Sequence, residues 1–410
     1  MPTTETNTNT ELDADAPLRI EKLVYGGDGL ARAGRHVVFV PYSLPGESVK
    51  IAVQERKAQH VRATIQEILE PSPHRVAPPC QHFTACGGCH YQQADYGFQV
   101  ESKLAILRET LQRVGKITPP EAIDVITGPP LEYRNRAQFH VQDNKIGYHE
   151  EGSRIIQGIE HCHIISPKLH EAFDALRKMM RDRRWPNFLR TVELFTNETD
   201  VQLNVLQATQ PLAKRFFGWC AEEISGFASS SLNYPAGEYN FRVSHDAFFQ
   251  INRFLIGPLV EAALQGAEGE RALDLYSGVG LFSLPLARII PHVTAVENGV
   301  PAWHDIQFNA QTAGVQIEAL QTSAEDYLAT AQGQQFDFVL ADPPRAGLGK
   351  RAVASLLKMQ PKRLTIVSCD PATLARDLAA LMPTYGIEGM TLIDLFPQTY
   401  HLETVVRLRL

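Results

Sequence analysis

Residues 241–410 alternate short apolar runs with stretches of helical periodicity, and no other feature of the sequence restricts the fold as strongly. Four of the runs have the pattern of buried strands and end in small or acidic residues: ERALDLYSG, HVTAVE, FDFVLADPP and RLTIVSCDP. Strands separated by helices are typical of a parallel α/β sheet, which binds ligands at the carboxyl ends of its strands. The pattern therefore predicts an α/β, Rossmann-like domain over residues 241–410.

The first of these strands leads directly into a glycine loop. Gly278 and Gly280 follow the strand and precede a predicted helix, where glycine lets the backbone turn sharply and approach a ligand. The third glycine of the dinucleotide fingerprint is missing, which disfavours NAD. Glu297 ends the next strand, where a carboxylate can accept hydrogen bonds from ribose hydroxyls. Together with Asp274, these residues favour S-adenosylmethionine as the ligand.

The third and fourth strands end in groups that can do chemistry. Asp342 ends the third strand and Cys369 the fourth, so both are expected on the rim that carries Gly278. A single cysteine is more often a small buried apolar residue. Here polar residues flank Cys369, and Pro371 begins a helix whose N-terminus would favour the thiolate.

A thiolate beside a methyl donor indicates one kind of reaction. Carbon 5 of a pyrimidine is a poor nucleophile, but thiolate addition to carbon 6 creates an enolate-like intermediate whose carbon 5 can attack a methyl group. The methylated adduct must then lose its carbon 5 proton, so a general base is required. Glu403 is the candidate base, although an ordinary surface glutamate fits the sequence at this position equally well.

The N-terminal part of the chain is organised differently. Residues 1–16 carry four acids and no base, which predicts a disordered tail. Residues 17–72 contain short runs rich in β-branched residues, with GGDGLARAG between two of them as turn material, and predict a small five-stranded, OB-like barrel. A mixed α+β central domain is expected over residues 73–240, with a helix at 96–115 that is expected to pack on the catalytic domain.

Four cysteines suggest a metal site. Cys80, Cys86 and Cys89 form a C-x5-C-x2-C pattern in a segment rich in proline and glycine, and Cys162 lies between two histidines. Four thiolates suit zinc and iron–sulfur clusters equally well, and the spacing alone slightly favours zinc.

Composition and charge exclude some classes of protein. The 410-residue chain has no apolar run of about 18 residues and no basic, apolar leader, so we expect no membrane span, no signal peptide and a cytoplasmic location. Its net charge of −7 argues against a surface covered in basic patches, but residues 17–75 carry +3. The distribution of charge is therefore a better guide to partners than its sum.

Seven motifs stand in the order found in RNA uracil-5-methyltransferases: GDGLARAGRHVVFVPYSLPGE, the PPC and CGGCHYQ pair, FFQIN, DLYSGVGLFSLPLA, DPPRAGL, SCDPATLARDL and FPQTYHLETVV. From residue 18 to the end, the chain resembles the iron–sulfur, TRAM-bearing branch of this family, typified by the bacterial 23S ribosomal RNA enzymes. The resemblance implies a class I methyltransferase domain that uses S-adenosylmethionine.

The resemblance also implies a role for each candidate residue. Cys369 would attack uracil carbon 6, and Glu403 would remove the carbon 5 proton. The residues that would contact the methyl donor or the target base are Gln250, Tyr276, Gly278, Gly280, Glu297 and Asp342. The residues that would bind a [4Fe–4S] cluster, reversing the preference for zinc, are Cys80, Cys86, Cys89 and Cys162.

The same resemblance implies partners. Residues 17–72 would be a TRAM domain that binds RNA, and the basic stretch Arg177–Arg190 is a second candidate for RNA contact. The substrate would be 23S ribosomal RNA, with position 54 of transfer RNA as the alternative, and we expect a monomer.

Two other functions fit the sequence less well. A non-catalytic RNA-binding or assembly protein would not need Cys369 and Glu403, and a methyltransferase for a small molecule or a protein would need neither the N-terminal barrel nor the thiolate. Two residues depart from the family pattern: Leu281 stands in the donor loop where relatives often carry a polar residue, and Asp370 follows the cysteine where many relatives have asparagine. Its carboxylate is expected to raise the pKa of the thiol.

Overall fold

The computed structural model of the chain describes residues 16–331 and 333–410. They divide into two compact units: unit 1 contains the described residues up to Ile106 together with Gln398–His401, and unit 2 contains Leu107–Pro397 and Leu402–Leu410. The predicted disordered tail lies outside the described residues, apart from Ala16. Within the described ranges, no helix combines the length and the apolar character needed to cross a lipid bilayer.

Unit 1 is built on a six-stranded sheet. Its strands are β1 (Leu18–Arg19), β2 (Lys22–Leu23), β3 (Asp28–Ala33), β4 (His36–Pro41), β5 (Ser48–Arg56) and β6 (His60–Glu70), in the order β1-β5-β6-β4-β3-β2. Side chains alternate along the strands, so Val38 and Val40 of β4 and Val49 of β5 face a shared core, fully buried. The predicted N-terminal β domain is confirmed, with six strands instead of five.

Strand β3 comes from a segment that the sequence analysis assigned to turns. It pairs antiparallel with β4 along its whole length. A Cβ atom on Gly29 would lie 2.1 Å from Ser43 Oγ, so glycine here permits close packing inside a strand. The assignment was wrong because composition alone does not separate a glycine that ends a strand from one that allows a close approach.

The helix predicted over residues 96–115 is confirmed as α1 (Tyr96–Thr110), continued by a π-helical turn (Leu111–Gly115). The π-helical turn packs against the helix Pro371–Leu381. A Cβ atom on Gly115 would lie 2.8 Å from the carbonyl oxygen of Ala375, so only glycine allows this approach.

The first part of unit 2 mixes strands with helices, whereas residues 73–106 of the predicted α+β region belong to unit 1. Its elements are β7 (Asp124–Ile126), β8 (Arg136–Gln142), β9 (Lys145–His149), β10 (Ile156–Gly158), α2 (Pro167–Met179), β11 (Leu189–Thr196), β12 (Val201–Ala208), α3 (Lys214–Glu223), β13 (Phe227–Ala228), β14 (Leu232–Ala236) and β15 (Tyr239–Val243). Six of the strands form a sheet in the order β10-β9-β8-β11-β12-β13, and β14 pairs with β15. Buried Phe139, Phe173 and Trp219 join the sheet to α2 and α3 in one core.

The second part of unit 2 alternates strands with helices, as predicted. Its elements are α4 (Ile256–Leu264), β16 (Arg271–Leu275), α5 (Ser283–Ile289), β17 (His292–Glu297), α6 (Val300–Ala313), β18 (Ile317–Gln321), α7 (Ala324–Thr330), β19 (Phe338–Ala341), α8 (Gly349–Met359), β20 (Arg363–Ser368), α9 (Pro371–Leu381), β21 (Gly386–Ile393) and β22 (Glu403–Arg409). With β7 they form an eight-stranded sheet in the order β18-β17-β16-β19-β20-β22-β21-β7. The Rossmann-like fold is confirmed.

The order of this sheet reverses beside β16. The chain moves outward from β16 to β17 and β18, and then crosses back to β19 on the other side of β16. Open α/β sheets bind ligands at the carboxyl ends of strands that flank such a reversal. Strand β22 enters antiparallel between β20 and β21, so the start of β22 lies at the same edge as the end of β20.

Candidate active site

The strand register brings the predicted site residues to one edge of the sheet. Leu275 of β16 lies opposite Val296 of β17 on one side and Ala341 of β19 on the other. Glu297 and Asp342 are the next residues along their strands, so both reach the carboxyl edge beside the loop that follows β16. The geometry of a parallel sheet thus explains why residues far apart in the chain meet here.

The loop after β16 has the backbone that its glycines predict. Tyr276, Gly278 and Gly280 have φ angles of 62°, 54° and 94°, in the left-handed region. A Cβ atom on Gly280 would come within 2.8 Å of both Leu284 and Ile306, so this glycine lets the loop pack closely against α5 and α6. A Cβ atom on Gly278 would face open space, which leaves room for a ligand beside the backbone.

Glu297 fixes the shape of this loop. Its Oε2 accepts a hydrogen bond from the backbone N–H of Gly278 at 2.9 Å, and its Oε1 accepts one from Gly299. Each carboxylate oxygen can still accept a further hydrogen bond from a ligand hydroxyl. The Tyr276 hydroxyl is directed to Glu325 instead, donating to its Oε1 at 3.4 Å, and burial together with the Glu325 charge raises the pKa of Tyr276.

Asp274 lies under the loop, fully buried. Ser283 Oγ donates a hydrogen bond to its Oδ2, and burial, with the charges of Asp342 and Glu297, raises its pKa to about 7. Asp274 Oδ1 and Ser277 Oγ are buried and have no hydrogen-bond partner in the described part of the chain. Buried polar atoms are rarely left without partners, so these two fit a site for a polar ligand such as S-adenosylmethionine.

Gln250 reaches the same edge from the loop before α4. Its backbone is anchored by the Asn135 amide, which donates to the Gln250 carbonyl oxygen at 3.0 Å, and its Nε2 donates to Asp342 Oδ2 at 3.4 Å. Phe249 belongs to the core, whereas Phe248 is 60% exposed. Phe248 is therefore an aromatic ring available to a substrate, and the sequence analysis did not single it out.

Cys369 and Glu403 meet across two neighbouring strands. The last pair of the β20–β22 ladder is Ser368 opposite Thr404, so the register places Cys369 opposite Glu403, one residue beyond that pair. The Glu403 side chain is buried, and burial together with the charge of Asp342 raises its pKa well above the ordinary value. Burial also raises the pKa of Asp342 to about 7. Two carboxyl groups and a thiol thus share one poorly solvated site.

The surroundings of Cys369 favour the protonated thiol. Burial raises the pKa of Cys369 to about 12, with further contributions from the charges of Glu403 and Asp342, and Arg345 acts in the opposite direction. The sequence analysis expected the helix N-terminus to favour the thiolate, whereas burial and the two carboxyl groups act in the opposite direction. Arg345 was missed by the sequence analysis, although it lies in the DPPRAGL motif.

Asp370 has a different task from the one expected. Its Oδ1 accepts hydrogen bonds from the backbone N–H groups of Ala372 at 3.0 Å and Thr373 at 2.8 Å, so it caps α9. It is not among the groups that shift the pKa of Cys369. The expectation that Asp370 raises this pKa is therefore not supported by the structure.

The four cysteines of the predicted metal site lie in both units. Cys80, Cys86 and Cys89 belong to unit 1 and are half-buried, whereas Cys162 belongs to unit 2. Burial raises the pKa of Cys162, and the backbone N–H groups of Ile164 and Ile165, which donate to its sulfur, act in the opposite direction. Among the described residues, no group of three histidine, cysteine or acidic side chains is already arranged to hold a metal ion.

The sheet order, the glycine loop and the acids at the strand ends define a methyltransferase fold. Two families match the sequence: "tRNA (Uracil-5-)-methyltransferase" over residues 225–410, and the TRAM domain of "tRNA (uracil(54)-C(5))-methyltransferase" over residues 18–74. The Shewanella amazonensis 23S rRNA (uracil(1939)-C(5))-methyltransferase RlmD is 32% identical, with 97% of this chain and 96% of that protein covered. An uncharacterised RNA methyltransferase of Aquifex aeolicus is 30% identical, with 96% and 99% covered.

A solved structure has the same fold. The Pyrococcus abyssi tRNA (uracil-54, C5)-methyltransferase, in complex with S-adenosyl-L-homocysteine, gives a TM-score of 0.75 at 25% identity, with 96% of this chain and 100% of that chain covered. The chain is therefore a methyltransferase that uses S-adenosylmethionine. It belongs to the RNA uracil-5-methyltransferase family and carries an N-terminal TRAM domain, as the resemblance in the sequence implied.

Proposed function

We propose that this enzyme methylates carbon 5 of one uridine in 23S ribosomal RNA. Two relatives named as 23S rRNA (uracil(1939)-C(5))-methyltransferases are 32% and 31% identical to it over at least 95% of the chain, whereas the solved transfer RNA enzyme is 25% identical. Transfer RNA uridine 54 is the second candidate, because the Pyrococcus abyssi enzyme with the same fold is a tRNA (uracil-54, C5)-methyltransferase. The +3 charge of residues 17–75 supports RNA binding by the TRAM domain.

The observation that carries the mechanism is the meeting of Cys369 and Glu403 at the ends of β20 and β22, beside Asp342. The proton of the Cys369 thiol passes to Asp342, whose pKa of about 7 suits it to accept one near neutral pH. Sulfur bonds to uracil carbon 6, and the electrons of the carbon 5–carbon 6 double bond form the enolate.

The second half of the reaction uses Glu403. S-adenosylmethionine would supply the methyl group to carbon 5 and leave as S-adenosylhomocysteine. Burial and the charge of Asp342 both raise the pKa of Glu403, so protonation of Asp342 removes the second cause and favours the carboxylate form of Glu403. Glu403 takes the proton from carbon 5, the double bond forms again, and the carbon 6–sulfur bond breaks to release Cys369 as a thiolate, which recovers its proton from Asp342. Glu403 then gives its proton to solvent, which restores the starting state.

The remaining site residues bind and orient the uracil and the methyl donor. The Gln250 amide and the Asp342 carboxyl group offer a donor and an acceptor to the edge of a uracil, and the exposed Phe248 offers a ring face to an extruded base. Gly278, Gly280 and Tyr276 shape the loop for the methyl donor, with the Glu297 carboxylate available to its ribose hydroxyls. All of these residues come from one chain, and we infer a cytoplasmic monomer.

The RNA substrate is tested by methylating two transcripts in parallel. The full-length protein, with donor carrying a labelled methyl group, is expected to place 5-methyluridine in a 23S rRNA transcript at the position equivalent to uridine 1939. Nuclease digestion and mass spectrometry locate the label. Label only at uridine 54 of a transfer RNA transcript would replace the ribosomal assignment, and no 5-methyluridine in either transcript would contradict the proposed activity.

We also infer that Cys80, Cys86, Cys89 and Cys162 bind a [4Fe–4S] cluster. Four thiolates suit such a cluster, and the methyl transfer above consumes no electrons, so the cluster would have a structural role. We expect protein purified without oxygen to be brown, with about four iron and four sulfide ions per chain, and Cys162→Ser to lose most of both. Cys220→Ser, which changes a core cysteine outside the set, is the control and is expected to keep them. A colourless protein with one zinc per chain would refute the cluster.

A further inference from the structure

Unit 2 contains a cavity of about 580 Å³ that plays no part in the reaction above. It lies between the tip of the β8–β9 hairpin, the end of β10 and the turn that follows α2. The hairpin tip is a two-residue turn in which Asp143 and Asn144 have φ angles of 51° and 59°, a tight connection that fixes the rim of the cavity. A volume of this size accommodates one or two nucleotides of a chain.

The cavity is positively charged. Lys145, Arg177, Arg181 and Arg183 line it, against two acids, Glu160 and Asp182. The Asp182 carboxylate is already engaged, since Arg184 donates to both of its oxygens. Positive charge therefore remains in excess at this cavity.

The structure separates the basic stretch Arg177–Arg190 into two groups. Lys178 pairs with Glu223, Arg184 pairs with Asp182 and stacks on Trp219, and Arg190 donates to the carbonyl of Asn187. Arg177 likewise pairs with Asp174. In the described part of the chain, by contrast, Arg181 and Arg183 of this stretch, and Lys145 at the start of β9, make no ion pair or side-chain hydrogen bond. All three of these exposed cations line the cavity.

The apolar part of the lining is not available to a ligand ring. Met180 and Trp185 are 8% and 5% exposed and belong to the core beneath the cavity. A ligand would therefore be recognised by charge and hydrogen bonds, as the phosphates of a nucleic acid are, rather than by stacking.

Strand β8 connects this cavity to the active-site loop. Arg136, at its first residue, donates to the carbonyl oxygen of Ala247 at 3.0 Å, next to Phe248. The strand has seven residues and ends at the hairpin tip, so at about 3.3 Å per residue its ends are roughly 20 Å apart. One RNA reaches both places only if it extends several nucleotides beyond the target base, at about 3.4 Å per stacked nucleotide.

We propose that this cavity is a second RNA-binding site, in which Lys145, Arg181 and Arg183 hold backbone phosphates of the substrate away from the target uridine. The proposal rests on the proposed function, because it takes the RNA substrate as the ligand. It assigns the cavity a part in affinity for long RNA and none in the chemical step.

The test compares two charge-matched double variants of the full-length protein. Arg181→Glu with Arg183→Glu changes the cavity, and Lys214→Glu with Arg215→Glu makes the same change in charge on exposed residues of α3. The probes are a labelled 23S rRNA transcript that contains the equivalent of uridine 1939 and a six-nucleotide RNA centred on that uridine. Binding of each probe is measured over a series of KCl concentrations.

We expect the cavity variant to bind the transcript at least about 10-fold more weakly than the control variant does. We also expect a shallower slope of the log binding constant against log salt concentration, by the equivalent of about two phosphate contacts. Its affinity for the six-nucleotide RNA and for S-adenosylhomocysteine is expected to equal that of the control. If donor-product binding is lost, Arg181→Gln with Arg183→Gln replaces the charge reversal, with a smaller loss of the same kind.

Three results would overturn the proposal. The first is equal affinity and equal salt dependence for the two variants. The second is an equal loss of the short and the long RNA in the cavity variant. The third is binding of millimolar AMP to the wild-type protein that the cavity variant abolishes while its transcript binding is unchanged. That result would make the cavity a site for free nucleotides. Failure of the proposed function is distinguishable, because the wild-type protein would then bind the transcript without forming 5-methyluridine.

Discussion

Replacing Cys369 with alanine is expected to lower kcat for RNA methylation by at least roughly 10⁴-fold, the largest effect of any single substitution in this chain. Without the sulfur no bond forms at uracil carbon 6, and carbon 5 remains a poor nucleophile. With RNA that contains 5-fluorouridine, the wild-type adduct persists, because a base cannot remove fluorine from carbon 5 as it removes a proton. The Cys369→Ala variant is expected to form no such covalent complex. Denaturing gels measure that complex directly.

Cys220→Ala is the matched control for this substitution. Cys220 is a fully buried cysteine of the same unit, and burial raises its pKa to about 12, as it does for Cys369. Cys220 packs in the apolar core, however, whereas Cys369 lies at a strand end beside two carboxyl groups. Full activity and normal trapping are expected for Cys220→Ala. Substantial methylation by Cys369→Ala, with donor binding intact, would rule out the covalent mechanism.

Replacing Glu403 with glutamine is expected to stop the reaction after methyl transfer, at the removal of the carbon 5 proton. In the proposed mechanism, attack at carbon 6 and methyl transfer need Cys369, Asp342 and the donor but not Glu403, so a methylated adduct forms, but no base removes its proton. Turnover is expected to fall by about 10²–10⁴-fold, while a covalent complex accumulates on ordinary, unfluorinated RNA. The control is Glu388→Gln, which changes an exposed glutamate of β21 that pairs with Arg363 of β20. It is expected to leave both measurements unchanged.

The same variant has a second signature in the unliganded protein. The charge of Glu403 is one of the causes that raise the pKa of Cys369, so a neutral amide is expected to lower that pKa. At a given alkaline pH, Glu403→Gln is therefore expected to react faster with iodoacetamide at Cys369 than the wild-type protein does. An unchanged rate, with no covalent RNA complex, would remove Glu403 from the site.

The sequence predicts the catalytic sheet well because its signals are local. The apolar run of β16, the glycines after it and Glu297 at the end of β17 each lie in a few consecutive residues, and a parallel sheet carries such strand ends to one edge. The same logic correctly placed Asp342 and Cys369 at that edge.

Properties that depend on residues far apart in the chain could not be predicted from local sequence patterns. The protonated state of Cys369 depends on Glu403, which reaches it only through the antiparallel pairing of β20 with β22. Strand β3 was assigned to turns because the reason for Gly29 lies in its contact with Ser43. Likewise, only the fold separates Arg181 and Arg183 from the neighbouring cations that already have partners.

The position of β22 also affects the order in which this enzyme becomes competent during synthesis. In the sheet β22 separates β20 from β21, yet it follows both along the chain. A nascent chain that extends only through β21 already has the glycine loop, Asp342 and Cys369, but it lacks Glu403, the proposed base, and the edge of β20 is uncovered. Under the proposed mechanism, such a chain would bond to a uridine and have no base with which to release it. Insertion of β22 covers that edge and supplies Glu403 in the same event. The sheet is therefore completed at the moment when the enzyme gains the group proposed to release its product.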